Sequence, residues 1–214
     1  VGKTKDALKI QNDKSSLFEF RDMIGKFIDS MVLSTKRGGV YYVCMPLEVG
    51  VTDLFLEKTH LQSVIIWLKN TIVMGRKDYQ QKTEPILFMT DESYTEESGY
   101  RGIIYGWNFG ESHEWFGGRK QSNVWEFDKP LRSSDHPTIK PINLVAKAIR
   151  NSSKDKDIIL DLFGGSGSTL IACEQTNRIN FSMEIDPKYT DVIRKRYAKF
   201  IGKEDLWQTE TPQM

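Results

Sequence analysis

Cysteine, histidine and net charge are all scarce in this chain. Two cysteines, Cys44 and Cys173, occur among 214 residues, one in an expected strand and one in an expected helix. Both therefore read as buried, reduced thiols, as in a cytosolic protein. Three histidines without a cysteine cluster give no metal-ligand spacing. A net charge of +1 supplies no general field for nucleic acid, so any such contact must be a local patch. No apolar run approaches the length of a membrane span, and the first residues are polar and unlike a signal sequence. Internal repeats and low-complexity tracts are also lacking. A hydrophobic share of 39% over this length is enough to bury a sizeable core.

What the chain does contain is one stretch around which the rest is organised. Ile158-Ile159-Leu160-Asp161-Leu162-Phe163 is largely apolar, Gly164-Gly165-Ser166-Gly167-Ser168-Thr169 is small, and Leu170-Ile171-Ala172-Cys173-Glu174 favours helix. That order predicts a buried parallel strand, a tight turn and a helix N-terminus. Glycines at the turn let the backbone bend sharply and let a ligand approach it. Ser168 and Thr169 are suited to cap the helix. A second strand, Phe181-Ser182-Met183-Glu184-Ile185, places Glu184 about 20 residues beyond the glycines, where a carboxylate at the next strand tip can hold a ribose hydroxyl pair. The stretch is a candidate site for a nucleoside-bearing cofactor. A dinucleotide fingerprint needs a third small residue where Leu170 stands, and a phosphate-binding P-loop needs a lysine that this loop lacks. A loop of glycines and hydroxyls without a cation suits S-adenosylmethionine, which carries no phosphate.

Elsewhere, Leu17, Phe20, Ile24, Phe27, Ile28 and Met31 recur at helical spacing and predict an amphipathic helix. Gly38-Gly39 turns into an expected buried strand over 40–45, residues 51–59 are weakly helical, and 64–69 read as another strand. Alternating helices and strands argue for an α/β sheet. From Gly75 to Arg132 the composition changes: Trp107, Trp115 and Trp125 are interleaved with Arg76, Lys77, Arg119, Lys120 and Arg132. Taken singly, each tryptophan reads as core; together the region suits phosphate contacts and base stacking. Residues 90–99 are acidic and read as a solvated loop. Ile142, Val145, Ala146 and Ile149 form one helix face, and Asp186-Pro187 reads as the N-cap and first-turn proline of a closing helix. Lys188, Arg194, Lys195, Arg196 and Lys199 make that helix basic, and they read as a solvated face.

Three stretches together carry a resemblance: Asp161 to Thr169, His136-Pro137-Thr138-Ile139-Lys140-Pro141, and Glu184-Ile185-Asp186-Pro187-Lys188-Tyr189. They resemble the motifs of the amino-methylating DNA methyltransferases, which act on adenine N6 or cytosine N4, and their order resembles the family's beta group. Gly38 to Met45, Ile66 to Lys69, Tyr79, Glu84 to Phe88 and Tyr105 to Trp107 match further pieces of the pattern. The resemblance implies a Rossmann-like, doubly wound α/β S-adenosylmethionine-dependent methyltransferase sheet with an inserted DNA-recognition region. Part of the catalytic half would occupy 1–74, the target-recognition insert 75–134 and the cofactor-binding half 135–214. It implies cofactor contacts from Asp161, Phe163, Gly164, Gly165, Ser166, Gly167, Ser168, Thr169, Glu184 and Asp186. His136, Thr138 and Lys140 would lie in the segment beside the methionine end of the cofactor. DNA contacts would come from Arg76, Lys77, Tyr79, Arg119 and Lys120. Double-stranded DNA is the implied partner in a cytoplasmic setting, and the resemblance admits a homodimer and a companion restriction endonuclease.

The family's amino-methylation relies on an Asp/Asn/Ser-Pro-Pro-aromatic tetrapeptide that holds the flipped base. No Pro-Pro dipeptide occurs in these 214 residues, and Asp186-Pro187-Lys188-Tyr189 has lysine where the second proline belongs. In beta-group order the tetrapeptide would stand just before residue 1, so the expectation is an N-terminally truncated chain to which no catalytic residue is assigned. Adenine N6 is the expected target, because Tyr79 to Phe88 paired with His136 to Pro141 is closer to adenine enzymes; cytosine N4 is the alternative. A non-catalytic DNA- or cofactor-binding module is the rival from another class. A nicotinamide-dependent oxidoreductase is a weaker one, opposed by Leu170.

Overall fold

The computed structural model describes residues 16–47, 52–73, 81–84, 100–128, 130 and 139–205. By contacts they fall into two units, one within residues 14–128 and the other within 129–214.

The first unit opens with helix α1 (Leu17–Ser34). Its start is fixed by a capping box: Glu19 N–H donates to Ser16 Oγ at 3.3 Å, and Ser16 N–H donates back to Glu19 Oε2 at 2.9 Å. Ile24, Ile28 and Met31 bury one stripe, as the helical spacing predicts. Asn108 closes the other end, its Nδ2 donating to Val32 O at 3.1 Å and to Thr35 Oγ1 at 2.7 Å. The Val32 carbonyl would otherwise lack an intrahelical partner at the helix C-terminus.

The strands of this unit are β1 (Val40–Leu47), β2 (His60–Val73), β3 (Gln81–Glu84), β4 (Tyr100–Trp107) and β5 (Val124–Glu126). A short helix, α2 (Thr52–Lys58), joins β1 to β2. The sheet order is β1-β4-β2-β3, with β5 paired parallel to β2. Since β4 is antiparallel to both neighbours, β1 and β2 run the same way on either side of it. Tyr41, Phe55, Ile65, Trp67, Ile104 and Trp125 are buried. The Tyr41 hydroxyl lies 2.7 Å from Thr59 Oγ1, which donates to Phe55 O at 2.6 Å. Burial raises the Tyr41 phenol, with the Thr59 hydrogen bond opposing. Cys44, expected to be buried, is exposed on β1. Neighbouring side chains of a strand point to opposite faces, so an apolar run need not be covered on both sides.

The second unit is β6 (Ile158–Asp161), α4 (Ser168–Gln175), β7 (Ile179–Ser182) and α5 (Pro187–Phe200), preceded by α3 (Ile142–Ser152). β6 and β7 pair in parallel through the crossover helix α4, as the sequence predicts. Ala146, Ile149, Ala172 and Cys173 form the core, with Ile142, Val145 and Ile159 packed on it. Full burial of β6 does not occur. Ile159 faces the helices, whereas Ile158 is 66% exposed, and Leu160, Ile179 and Phe181 are exposed as well. Among the described residues of this unit, helices cover only one face of the pair.

Two glycines provide opposite tests of the first unit. A Cβ at Gly106 would overlap the His60 carbonyl oxygen and the Tyr41 phenol, whereas one at Gly25, in the middle of α1, meets nothing within 4 Å. Gly106→Ala should lower unfolding free energy by roughly 2 kcal/mol, and Gly25→Ala should raise it by about 0.5–1 kcal/mol. Urea titration followed by circular dichroism checks both signs; an undisturbed Gly106→Ala midpoint would contradict the packing described.

Candidate cofactor site

The site is built where β6 and β7 end side by side. After β6, Asp161 Oδ1 accepts from Phe163 N–H at 3.0 Å, turning the chain back on itself. Gly164 N–H then donates to Met183 O at 2.8 Å, which ties the turn to the end of β7. A Cβ on Gly164 would stand 2.9 Å from Ile193 Cδ1 and 3.2 Å from Met183 O, so the position accepts only glycine without a shift. Gly167 has φ +76° and lies against Ile193. It is the N-cap of α4, and no side chain caps that helix.

This last point corrects the expectation for Ser168 and Thr169. The left-handed turn falls on Gly167, so Ser168 is already inside the first turn of α4 and Thr169 follows it. Ser168 is buried and its Oγ donates to Lys140 O at 2.9 Å. The Lys140 backbone thus lies beside the loop.

Glu184 closes the site. Its Oε2 accepts from Gly165 N–H at 2.7 Å and its Oε1 from Asp186 N–H at 3.0 Å. Each carboxylate oxygen offers about two lone-pair sites, so each retains one for a further donor. The pair of remaining acceptors suits a vicinal diol. Asp186 is the N-cap of α5, Oδ1 accepting from Lys188 N–H at 2.9 Å, with Pro187 opening the helix as predicted. Behind it Tyr189 is buried; burial first, then the Asp186 and Glu184 carboxylates, raise its phenol above the ordinary range.

Two residues of α5 that sequence reasoning did not assign to the site hold the loop from behind. Ile193 packs under Gly164 and Gly167, and the Arg196 guanidinium donates to Ser166 O. Arg196 is therefore not simply part of a solvated basic face. The spacing of Tyr189, Ile193 and Tyr197 was the available signal, since residues four apart share one side of a helix.

Asp161, Phe163, Gly164, Gly165, Ser166, Gly167, Ser168, Thr169, Glu184 and Asp186 thus meet around one turn. Ser166 and Ser168 are buried, while Phe163 is 66% exposed beside the loop. His136, Thr138, Arg76, Lys77 and Tyr79 lie outside the described residues. Arg119 and Lys120 are exposed on a loop of the other unit. Among the described residues, no cluster of three or more His, Cys, Asp or Glu is placed to hold a metal ion. No described helix is long and apolar enough to cross a membrane.

A strand, a glycine turn with no cation in its own sequence, a helix and an acid at the next strand tip make a candidate nucleoside-cofactor site of the α/β class. A profile of the DNA methylase family, the N6 and N4 amino-methyltransferases, matches residues 3–195, and the chain belongs to that family. Its cofactor is S-adenosylmethionine. Type II methyltransferase M.Cfr9I of Citrobacter freundii is 31% identical over 140 residues, covering 64% of this chain and 44% of that protein. Type II methyltransferase M.HpaI of Haemophilus parainfluenzae is 26% identical over 204 residues, 91% of this chain and 65% of that protein. DNA adenine methyltransferase YhdJ of Escherichia coli K12 is 28% identical over 178 residues, 75% of this chain and 60% of that protein. The chain therefore spans about half to two thirds of the length of these relatives. Among solved structures, the M1.HpyAVI–SAM complex superposes with a TM-score of 0.63 at 21% identity, covering 84% of this chain and 82% of the other. The cytosine-N4-specific PvuII DNA methyltransferase superposes with a TM-score of 0.67 at 15% identity, covering 94% and 82%. These likenesses establish the fold.

Cys173, on the buried face of α4, is held as a neutral thiol. Burial, with Asp161 adding and Arg178 opposing, pushes its thiol up to about 12. At pH 8 only about one molecule in ten thousand would carry the thiolate. A chromogenic thiol reagent should therefore titrate exposed Cys44 promptly and Cys173 only after denaturation; two prompt equivalents from the native chain would contradict this burial.

Proposed function

We propose that the chain binds S-adenosylmethionine at the 163–167 turn and serves site-specific methylation of adenine N6 in double-stranded DNA. The observation that carries the cofactor reading is the 2.7 Å hydrogen bond from Gly165 N–H to Glu184, which locks an acid to the loop that would border the nucleoside. The two acceptor sites left on Glu184 suit the ribose hydroxyls. A neutral loop suits an adenosine without a phosphate, and exposed Phe163 provides an apolar wall beside it. By resemblance, Thr138 and Lys140 stand near the methionine end. When bound, the cofactor supplies an electrophilic methyl on its sulfonium. The residues named hold and orient it, and orientation is the main requirement of an in-line transfer.

An exocyclic amine is reached only when its base leaves the stack. The name of YhdJ, similar over three quarters of this chain, supports the adenine reading. So does the resemblance of Tyr79 to Phe88 and His136 to Pro141. The type II names of the other relatives support a place in a restriction–modification system with a companion endonuclease. Lacking a Pro-Pro-aromatic segment and the strand that would carry it, these 214 residues on their own should bind cofactor weakly if at all and not transfer its methyl group.

Calorimetric titration with S-adenosylhomocysteine tests the site. Removing a charged acceptor of two hydroxyls should cost roughly 2–3 kcal/mol, or about 30- to 150-fold in affinity, in Glu184→Ala. NADH should not bind either form. Equal affinities of the two forms for S-adenosylhomocysteine would sink the assignment of Glu184, and transfer of labelled methyl to DNA by this chain alone would sink the expectation of inactivity.

A further inference from the structure

The segment joining β4 to β5, residues 108–123, has no helix or strand, yet it is held firmly at both ends. At its root the His113 ring stacks on Trp107 with centroids 3.9 Å apart, and His60 stacks on the indole's other face at 4.2 Å. Tyr105 meets His113 edge-on at 6.2 Å and Trp115 at 5.9 Å. Gly38 N–H donates to Asn108 O at 3.2 Å, and Asn108 N–H donates to Gly39 O at 3.1 Å. At its far end Ile66 N–H donates to Asn123 O at 2.7 Å.

Between these anchors the tip folds on itself. Trp115 Nε1 donates to Gly118 O at 2.7 Å, and Gln121 Nε2 donates to Gly117 O at 3.0 Å. Gly118 has φ +70° with open space where a Cβ would stand. The Trp115 indole N–H is thus used inside the turn. The next residue, Phe116, is 45% exposed, and Arg119 and Lys120 three and four positions on are exposed too. Glu111 and Glu114 stand nearer the root of the same segment. A half-exposed aromatic in a hydrogen-bonded turn, with two exposed cations three and four positions on, has the chemistry of a base-stacking residue flanked by phosphate contacts.

We infer that residues 115–121 form a preformed nucleic-acid contact in which Phe116 stacks on a nucleobase and Arg119 and Lys120 hold the neighbouring phosphates. The inference rests on the DNA reading above and goes beyond it by assigning an aromatic base contact, which requires an unstacked or kinked step in the duplex. Affinity should therefore be higher for a duplex with one unpaired base than for a fully paired one.

The test is fluorescence anisotropy of the 214-residue chain with both duplexes across a series of salt concentrations. Phe116→Ala should weaken binding to the unpaired-base duplex about tenfold with the salt slope unchanged, and Phe116→Tyr should restore it. Arg119→Ala and Lys120→Ala should each reduce the salt slope by about 1. Phe116→Ala within twofold of the parent, or a loss accompanied by a reduced slope, overturns the inference. S-adenosylhomocysteine titration of the same preparations separates the two readings. Cofactor binding without duplex binding overturns this inference alone; Phe116-dependent duplex binding without cofactor binding supports it and overturns the cofactor reading.

Discussion

The hydrogen bond from Gly165 N–H to Glu184 is the constraint on which the cofactor site depends. β6 and β7 pair over only four residues, and beyond them the bonds from Gly164 N–H to Met183 O and from Gly165 N–H to Glu184 hold together the segments that leave them. Glu184 joins those segments, and its second oxygen, accepting from Asp186 N–H, also orders the start of α5. α5 in turn returns Ile193 and Arg196 to the underside of the glycine loop. The arrangement is circular: the acid fixes the loop, the helix begun by the acid supports the loop, and the loop positions the acid. A site so fixed loses little conformational freedom when a ligand arrives, which is where much binding free energy is otherwise lost.

Locally determined features were legible from the residues. The apolar stripe of α1, the Asp186-Pro187 start of α5 and the strand–turn–helix around Gly164 depend on neighbours within a few positions, and all occur as expected. Features set by partners distant in sequence were not. The αL turn at Gly167 moved the cap off Ser168 because the carbonyl of Lys140, far upstream, takes the serine hydroxyl. Ile193 and Arg196 looked like ordinary members of a basic amphipathic helix until the glycine loop was placed against them. The exposure of Cys44 and Ile158 illustrates the same limit: alternation reveals a strand, but not which of its faces another element covers.

The two units solve the problem of fixing irregular backbone differently. Around the glycine loop, small residues allow close approach, and the backbone's own N–H groups make the contacts. Around the 108–123 segment, large flat rings do the work: His60, Trp107 and His113 form a three-layer stack. Burial, then the charge of His60 on the other side of the indole, lowers His113 below the ordinary imidazole range. The first solution leaves space for a ligand between main-chain atoms, and the second carries side chains outward from a rigid root.

The bare face of the β6–β7 pair has a consequence for how the protein behaves as a solute. Ile158, Leu160, Ile179 and Phe181 lie together on a short two-stranded ribbon, in a chain whose net charge is only +1. Long-range repulsion between molecules is consequently weak, while each carries an oily facet that water wets poorly. The chain is amphiphilic in the colloidal sense.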